Sequence, residues 1–240
     1  MQPSGSVTKI IGLVLFSVGI ILALLLTGLM VWADVEAVSY GFPRLGNEPM
    51  SGLACPQLMN PTEEAAFSIT LRNTTEQALR PRVEVFRSEP TLSRWNENTV
   101  AYAVEPGGRE TNSWSVGPEN VVLGSFVLIK AYTFASYPQR NVENTCGIYV
   151  IDVFGLGGST LYWLWLAVSL GLLAVGIWLA DFRTAEAEQS QGKGMARKAL
   201  AFLAILGLIV GSAGWWPVGV IILIVNLIAL PAVLLYGQSR

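Results

Sequence analysis

Long uncharged apolar stretches constrain this chain more than any other feature. Residues 10–32 form a run of 23 residues without a charge, and a helix of that length, rising about 1.5 Å per residue, crosses a hydrocarbon core about 30 Å thick. Charged residues make up 13% of the chain, about half of what soluble domains carry. We therefore predict a membrane protein. Because the apolar core of a secretory signal peptide is shorter, about 7 to 15 residues, we interpret this run as an anchor.

Further apolar stretches lie in the C-terminal third. Residues 161–180 form a second uncharged run, and residues 199–236 form two runs separated by a turn around Pro217. This pattern predicts four transmembrane helices. The third run, residues 199–213, is shorter than the 17 to 25 residues, roughly, of a usual span. Two spans followed by a re-entrant hairpin are therefore the alternative.

The distribution of lysine and arginine predicts the orientation. The tails and the loop between the second and third helices hold 6 basic and 3 acidic residues, whereas residues 33–160 hold 9 basic and 14 acidic residues. Because cytoplasmic loops carry the excess of lysine and arginine, we expect a multi-pass protein of the plasma (inner) membrane with both termini cytoplasmic. The predicted segments are a cytoplasmic tail (1–9), a helix (10–32), an extracytoplasmic domain ending in a glycine hinge (33–160), a helix (161–180), a cytoplasmic loop (181–198), a helical hairpin (199–236) and a cytoplasmic tail (237–240).

Strand periodicity appears between the first and second helices. Phe67, Ile69 and Leu71 alternate with small or polar residues, which is typical of a strand with one buried face. The predicted strands are residues 65–72, 81–86, 99–105, 111–116, 121–134 and 146–153. About seven short strands separated by turn sequences favour an immunoglobulin-like β-sandwich. The predicted fold class is a membrane protein of mixed α and β structure, with this sandwich between helices 1 and 2.

Part of this domain resembles a known family. Residues 67–75, 82–85, 104–108 and 114–116 are similar to bacterial immunoglobulin-like modules related to cell adhesion and to those appended to secreted glycosidases. The shared features are a strand ending in Asn, a valine-rich return strand and a Pro-Gly turn. The resemblance covers residues 63–116 and implies a sandwich fold. It brings no catalytic residues, and the cysteines and membrane helices lie outside its pattern.

Cys55 and Cys146 are the only cysteines, and both fall in the predicted outer domain. Because an oxidising compartment lets a disulfide persist, we predict that they are bonded. Two free buried thiols or a metal pair are the alternative, although two cysteines without histidine supply only half of a zinc site.

The composition argues against several chemistries. The chain has no histidine, the usual ligand of haem and zinc and the usual general base, so we expect no cofactor and no enzymatic activity. A net charge of -2 predicts no nucleic-acid partner. Lys130 could serve an envelope hydrolase, but we interpret it as an edge-strand charge that discourages strand pairing. Asp34, Glu36 and Asp152 could hold calcium, but no ligand loop has the needed spacing.

Two short sequences each have a functional and a structural interpretation. Residues 155–158 are glycine-rich but lack the Lys and Ser or Thr that follow in a phosphate loop, so they predict a hinge. Residues 73–75, Asn-Thr-Thr, form a glycosylation sequon. They also lie where a hairpin turn is expected.

Small residues recur at four-residue spacing on two predicted helices. Gly19, Ala23 and Thr27 lie on the first, and Gly207 and Gly211 lie on the third. This spacing lets helix backbones approach closely in lipid. The contact could be within the chain or with another protein, and we favour the former.

Asn226 is the one strongly polar side chain near the middle of a predicted helix. An unpaired amide in the bilayer is costly, so it should face another helix or an aqueous path. We favour a helix–helix hydrogen bond over a transport role because no intramembrane charge accompanies it.

The run 126–134 is apolar on both predicted faces, which suggests that a partner covers it. Its candidate docking residues are Phe126, Leu128, Tyr132 and Phe134. The resulting hypothesis is a non-catalytic scaffolding or accessory subunit of a cell-envelope complex, whose partners are the lipid bilayer and other membrane protein subunits. The alternative is a ligand-sensing or transport component that couples the outer domain to the helices.

Overall fold

The structure is a computed structural model that describes residues 5–46, 48–91, 94–134, 141–181 and 191–238. The chain divides into two compact units. We call Met1–Val31 with Tyr162–Arg240 the helical unit, and Trp32–Leu161 the sheet unit. The helices are α1 (Gly5–Ser39), α2 (Gly158–Asp181), α3 (Gln191–Ser212) and α4 (Trp216–Gln238).

Among the described residues, three helices contain stretches long and apolar enough to cross a membrane, namely Val7–Ser39, Gly158–Ala180 and Gly194–Ser212. The apolar part of α4, Trp216–Ala232, is shorter. The expected length of the third helix was wrong, because α3 has 22 residues. Its first two turns contain lysine and arginine, whose charges made the sequence there look like a loop.

Helix α1 also extends beyond its predicted end. It has 35 residues, a length of about 52 Å at 1.5 Å per residue, and it continues past Trp32 to Ser39. Asp34 and Glu36 made the apolar run end early, but neither residue breaks a helix. The last turns of α1 therefore belong to the sheet unit.

The sheet unit contains ten strands within the described residues. They are β1 (Glu48–Pro49), β2 (Leu53–Ala54), β3 (Leu58–Met59), β4 (Ala65–Arg72), β5 (Arg82–Ser88), β6 (Trp95–Ala101), β7 (Arg109–Val116), β8 (Val121–Val122), β9 (Phe126–Phe134) and β10 (Val142–Val150). One sheet has the order β1-β10-β9-β5-β6, with β3 paired to β10 and β8 to β9. The other has the order β2-β4-β7. Of the strands in the described part of the chain, only β1 and β3 pair in parallel, both with β10.

Two apolar clusters lie on opposite faces of the larger sheet. The first joins side chains of both sheets, including Phe67 and Ile69 from β4 with Val83 and Ile129 from the larger sheet. The second cluster covers the other face with residues from the end of α1 and the segment after it. Its members are Ala33, Ala37, Tyr40, Phe42, Phe86, Val122, Phe126, Leu128 and Tyr132.

The predicted strand 65–72 is confirmed by β4, whereas the predicted strand 121–134 is wrong as a single element. Leu123 and Gly124 have positive φ angles of 51° and 78°, so the chain turns there and β8 pairs back on β9. A left-handed conformation is unusual for leucine, and the apolar sequence gave no sign of this turn. The predicted strand 99–105 is also displaced, because β6 spans Trp95–Ala101.

Candidate functional site

The predicted disulfide is present in the structure. Cys55 is bonded to Cys146, with their Cα atoms 6.5 Å apart and a sequence separation of 91. Cys146 lies in β10 opposite Ile129. The bond therefore fastens the arm after β2 to strand β10 of the larger sheet.

The predicted docking residues require a correction. Phe126, Leu128 and Tyr132 are buried in the cluster formed with Ala33 and Ala37 of α1. Strand β9 is apolar on both faces because this chain itself covers both. The hypothesis that these three side chains bind a partner is thus wrong. Phe134, at the end of the strand, is 42% exposed.

Lys130 also differs from its expected place. Strand β9 is central, between β10 and β5, and Lys130 is only 3% exposed. Its Nζ lies 2.8 Å from Oε2 of Glu143 and donates to the carbonyl oxygen of Pro43 at 2.6 Å. The same Oε2 accepts from the amides of Leu45 and Gly46 at 2.9 and 2.8 Å. We call these five residues the buried cation cluster.

The cluster sets the ionisation of Glu143. Burial alone would raise the pKa of Glu143, but the hydrogen bonds from Lys130, Leu45 and Gly46 and the charge of Lys130 together lower it. Glu143 is therefore stabilised as a carboxylate. The cluster fastens the arm after α1 to β9 and β10.

Asp34 lies where the end of α1 crosses β10. It is 6% exposed, and its Oδ1 accepts a hydrogen bond from the amide of Gly147 at 3.1 Å. The helix approaches so closely here that a Cβ at Gly147 would overlap the carbonyl oxygen of Ala33. The sequence places Asp34 just after the predicted span 10–32 and gives no indication of its contact with Gly147. A glycine in the interior of a strand, next to a cysteine predicted to be bonded, was the available signal.

Asp34→Asn is expected to stabilise the sheet unit by about 1 to 3 kcal/mol at neutral pH, because the amide keeps an acceptor for Gly147 while removing a poorly solvated charge. Pulse proteolysis of the full-length protein in detergent across a urea series measures this. At about pH 3 aspartic acid is protonated, so the difference between variant and wild type should shrink. A variant less stable than wild type at both pH values would refute the expectation.

Gly147→Ala is expected to destabilise the same unit by about 3 kcal/mol, near the upper end of the usual cost of overpacking, because the added methyl group meets backbone rather than a flexible side chain. Gly157→Ala is the matched control, since its Cβ would lie 3.7 Å from the nearest atom, Oε2 of Glu63. The same urea series compares the two. Equal midpoints for both variants would disprove the close contact between α1 and β10.

The glycine turn at residues 155–158 is held by side chains and is no free hinge. The amide of Gly158 donates to Oε2 of Glu63 at 2.6 Å, and that of Gly155 donates to Oδ1 of Asp152 at 3.0 Å. Nδ2 of Asn60 donates a hydrogen bond to the carbonyl oxygen of Leu156 at 3.2 Å. Asp152 is thus engaged with backbone. Within the described ranges, no three His, Cys, Asp or Glu side chains come together as metal ligands.

The sequence allows Asn73 to be a glycosylation site or to close a turn, and in the structure it closes the turn. It is 1% exposed, its Nδ2 donates to the carbonyl oxygens of Gln77 and Val104, and its Oδ1 accepts from the amide and hydroxyl of Thr75. All of its amide atoms are therefore used in closing the turn. This asparagine is inaccessible to glycosylation in the folded protein.

The small-residue stripes meet within the chain. A Cβ at Gly19 would lie 2.8 Å from the backbone nitrogen of Leu173, so α1 and α2 are in close backbone contact. Gly207 and Gly211 of α3 lie against Thr27 of α1, and Gly211 also against Met30. Ala23 is fully buried. The stripes thus serve packing inside the helical unit.

Asn226 is fully buried, but it does not make the expected helix–helix hydrogen bond. Its Nδ2 donates to the carbonyl oxygen of Ile222 in its own helix at 2.9 Å. Its Oδ1 has no hydrogen-bond partner among the described residues.

The larger sheet has an open edge at strand β6. Strand β6 ends the larger sheet, and among the described strands it pairs only with β5. The amide of Tyr102 donates to the carbonyl oxygen of Pro81, and Thr99 is paired with Glu84. Because hydrogen-bonded and non-hydrogen-bonded pairs alternate in antiparallel sheets, the N–H and C=O of Thr99 point away from β5. The residues with outward backbone groups are Trp95, Glu97, Thr99 and Ala101.

Comparison with known proteins gives only weak structural likenesses. No protein-family profile and no curated protein matches the chain. The CARDB domain of the PF1109 protein from Pyrococcus furiosus, a cell-adhesion-related domain, matches 46% of this chain and 99% of its own length, at 11% identity and a TM-score of 0.33. Red sea bream transglutaminase matches 43% of this chain at 8% identity and a TM-score of 0.34. A β-glucosidase from Listeria innocua matches 42% at 17% identity and a TM-score of 0.31.

This chain spans 17% of the transglutaminase and 15% of the β-glucosidase. At such TM-scores the likenesses identify no specific protein and carry no conclusion about activity.

Proposed function

We propose that the protein is a non-catalytic scaffolding or accessory subunit of a cell-envelope membrane complex. In this proposal the helical unit is embedded in the plasma (inner) membrane with four spans. The sheet unit is an immunoglobulin-like β-sandwich on the extracytoplasmic side, and it binds another subunit through strand β6.

Membrane embedding is supported by what the helices expose. Soluble helices turn a polar face to solvent, whereas large apolar side chains are exposed on all four helices here. Examples are Ile10 of α1, Leu164 of α2, Phe202 of α3 and Ile228 of α4, which is 70% exposed. The small residues of the helices already face one another inside the helical unit. The large apolar side chains point outward instead and are suited to contact lipid.

The open edge of β6 is the observation that carries the docking role. An unpaired edge is a template for an added strand, and β6 has no proline or lysine to block it. Its seven residues offer four outward-facing positions. An extended segment of a partner subunit can therefore pair with this edge through backbone hydrogen bonds.

Thr99→Pro tests the docking role. Proline removes the outward N–H without touching the pairing with β5, whereas Thr99→Val keeps that N–H and serves as the control. We expect the amount of partner subunits that co-purify with the full-length protein in mild detergent to fall about tenfold in Thr99→Pro and to stay unchanged in Thr99→Val. Quantitative mass spectrometry measures both.

Two results would reject this role. One is a wild-type protein that elutes as a lone monomer from its own host's membranes. The other is a Thr99→Pro variant that keeps the full set of partners while its urea midpoint matches wild type.

The second candidate is a sensing or transport component, and the unpartnered Oδ1 of Asn226 favours it. A buried oxygen without a hydrogen bond lowers stability. Its presence here is explained if the oxygen binds a transported or sensed ligand. Under this candidate Asn226→Leu preserves co-purification of partners but fails to complement a deletion of the gene. Under the first candidate Asn226→Leu preserves both.

A further inference from the structure

A groove of about 610 Å³ opens in the sheet unit, beside the ends of β4 and β7. This size is within the range of small-molecule sites, about 300 to 1,000 Å³. Met50, Leu71, Leu79 and Val104 contribute apolar surface, and Arg72 and Arg109 contribute charge. None of the residues that line it is acidic.

The two arginines are exposed, and they bring two positive charges to directly opposite positions of neighbouring strands. Arg72 and Arg109 are direct cross-strand partners in β4 and β7. The next pair, Asn73 with Gly108, is hydrogen-bonded, so Arg72 and Arg109 form a non-hydrogen-bonded pair, the type in which side chains lie closer. Like charges directly opposite each other destabilise a sheet.

No carboxylate of the described residues offsets this repulsion. Among the described residues of the sheet unit, the ion pair found is that of Lys130 with Glu143 in the other sheet, and it involves neither arginine. Glu110, next to Arg109, is engaged instead with the amide of Ala103 at 2.7 Å. Residues 33–160 carry 14 acidic against 9 basic residues. The charged residues that line the groove are therefore all basic, although the domain around it is acidic.

We propose that this groove binds a small amphiphilic anion, with a carboxylate or phosphate head group held between Arg72 and Arg109 and an apolar chain lying against the partly exposed Leu79. The guanidinium geometry matches either head group, because each arginine can donate two parallel hydrogen bonds to paired oxygens. The hydroxyl group of Thr74, which also lines the groove, supplies a further donor. This site goes beyond the docking role of β6 and does not depend on it.

Binding of hexyl phosphate and hexanoate to the full-length protein in phosphatidylcholine nanodiscs tests the proposal, with calorimetry as the readout. We expect saturable one-to-one binding of at least one of them, and the tighter of the two identifies the head group. Inorganic phosphate should bind at least about tenfold more weakly than hexyl phosphate, since it lacks the apolar chain.

The variant Arg72→Gln/Arg109→Gln should weaken binding at least about thirtyfold, and Arg44→Gln, an exposed arginine outside the groove, should leave it unchanged. The urea midpoint of the double variant should match or exceed that of wild type, because a like-charge pair has been removed. The proposal is overturned if neither probe binds saturably, if hexanol binds as tightly as either anion, or if the double variant binds like wild type.

Discussion

Lys130→Met is expected to lower the free energy of unfolding of the sheet unit by about 3 kcal/mol. Removing one member of a buried ion pair costs about 3 to 5 kcal/mol, and the lower end applies because Glu143 keeps 22% of its side chain exposed. The variant leaves the Glu143 carboxylate and the Pro43 carbonyl without their shared donor. Pulse proteolysis of the full-length protein over a urea series measures the loss. Arg44→Met, which removes an exposed cation from the same arm, should change the midpoint by less than about 0.5 kcal/mol.

A double-mutant cycle separates the pair from its surroundings. Glu143→Gln alone should also destabilise, because Lys130 then keeps its charge with only a carbonyl as partner. The double variant Lys130→Met/Glu143→Gln should be more stable than the sum of the two losses implies, by about 1 to 3 kcal/mol of coupling. Strict additivity of the two changes would mean that the two side chains are not paired.

The pH dependence of this cluster has a defined sign. The pKa of Glu143 is lowered in the folded protein, so its contribution to stability is fully present above the unfolded value of about 4.3 and is lost as pH falls through the folded value. The stability of wild type should therefore decrease on acidification below about pH 4. In Glu143→Gln this part of the slope should be missing.

Loss of the Cys55–Cys146 disulfide is also expected to lower the free energy of unfolding of the sheet unit strongly. The bond closes a loop of 91 residues, and a cross-link of that span restricts the unfolded chain by about 4 to 5 kcal/mol in the chain-entropy model. Cys55→Ser/Cys146→Ser should lower the urea midpoint accordingly. A reductant should move the wild-type midpoint toward that of the variant.

The cysteine variant supplies its own control, since reductant should leave its midpoint unchanged. Alkylation before and after reduction gives an independent readout, because a formed disulfide protects both thiols. Rapid alkylation of either cysteine in the native, unreduced protein would show that the bond is absent in the cell.

Much of the architecture was predictable because it depends on local sequence. The uncharged runs predicted four helices, and the alternation of Phe67, Ile69 and Leu71 predicted β4 with its correct ends. The two cysteines predicted their own bond. These features depend on periodicity and composition, which a short window of sequence contains.

The errors have a common cause in contacts between distant segments. Strand β9 was interpreted as a docking surface because its cover, Ala33 and Ala37, lies more than 80 residues away in sequence. The interpretation of Lys130 as an edge charge is wrong because its ion-pair partner, Glu143, lies 13 residues away in sequence. The open edge of β6 was missed because strand order, which decides what is an edge, is a property of the whole sheet.

The central claim, apolar helices in the membrane with the sheet unit outside the cytoplasm, is most directly tested by epitope accessibility. One tag is inserted at Gly107, where a turn with a positive φ of 68° has open space around it, and another is inserted after residue 188, between α2 and α3. In intact spheroplasts the account predicts that added protease removes the tag at Gly107 and spares the second tag until the cells are lysed. Protection of the Gly107 tag together with cleavage of the second tag would contradict it.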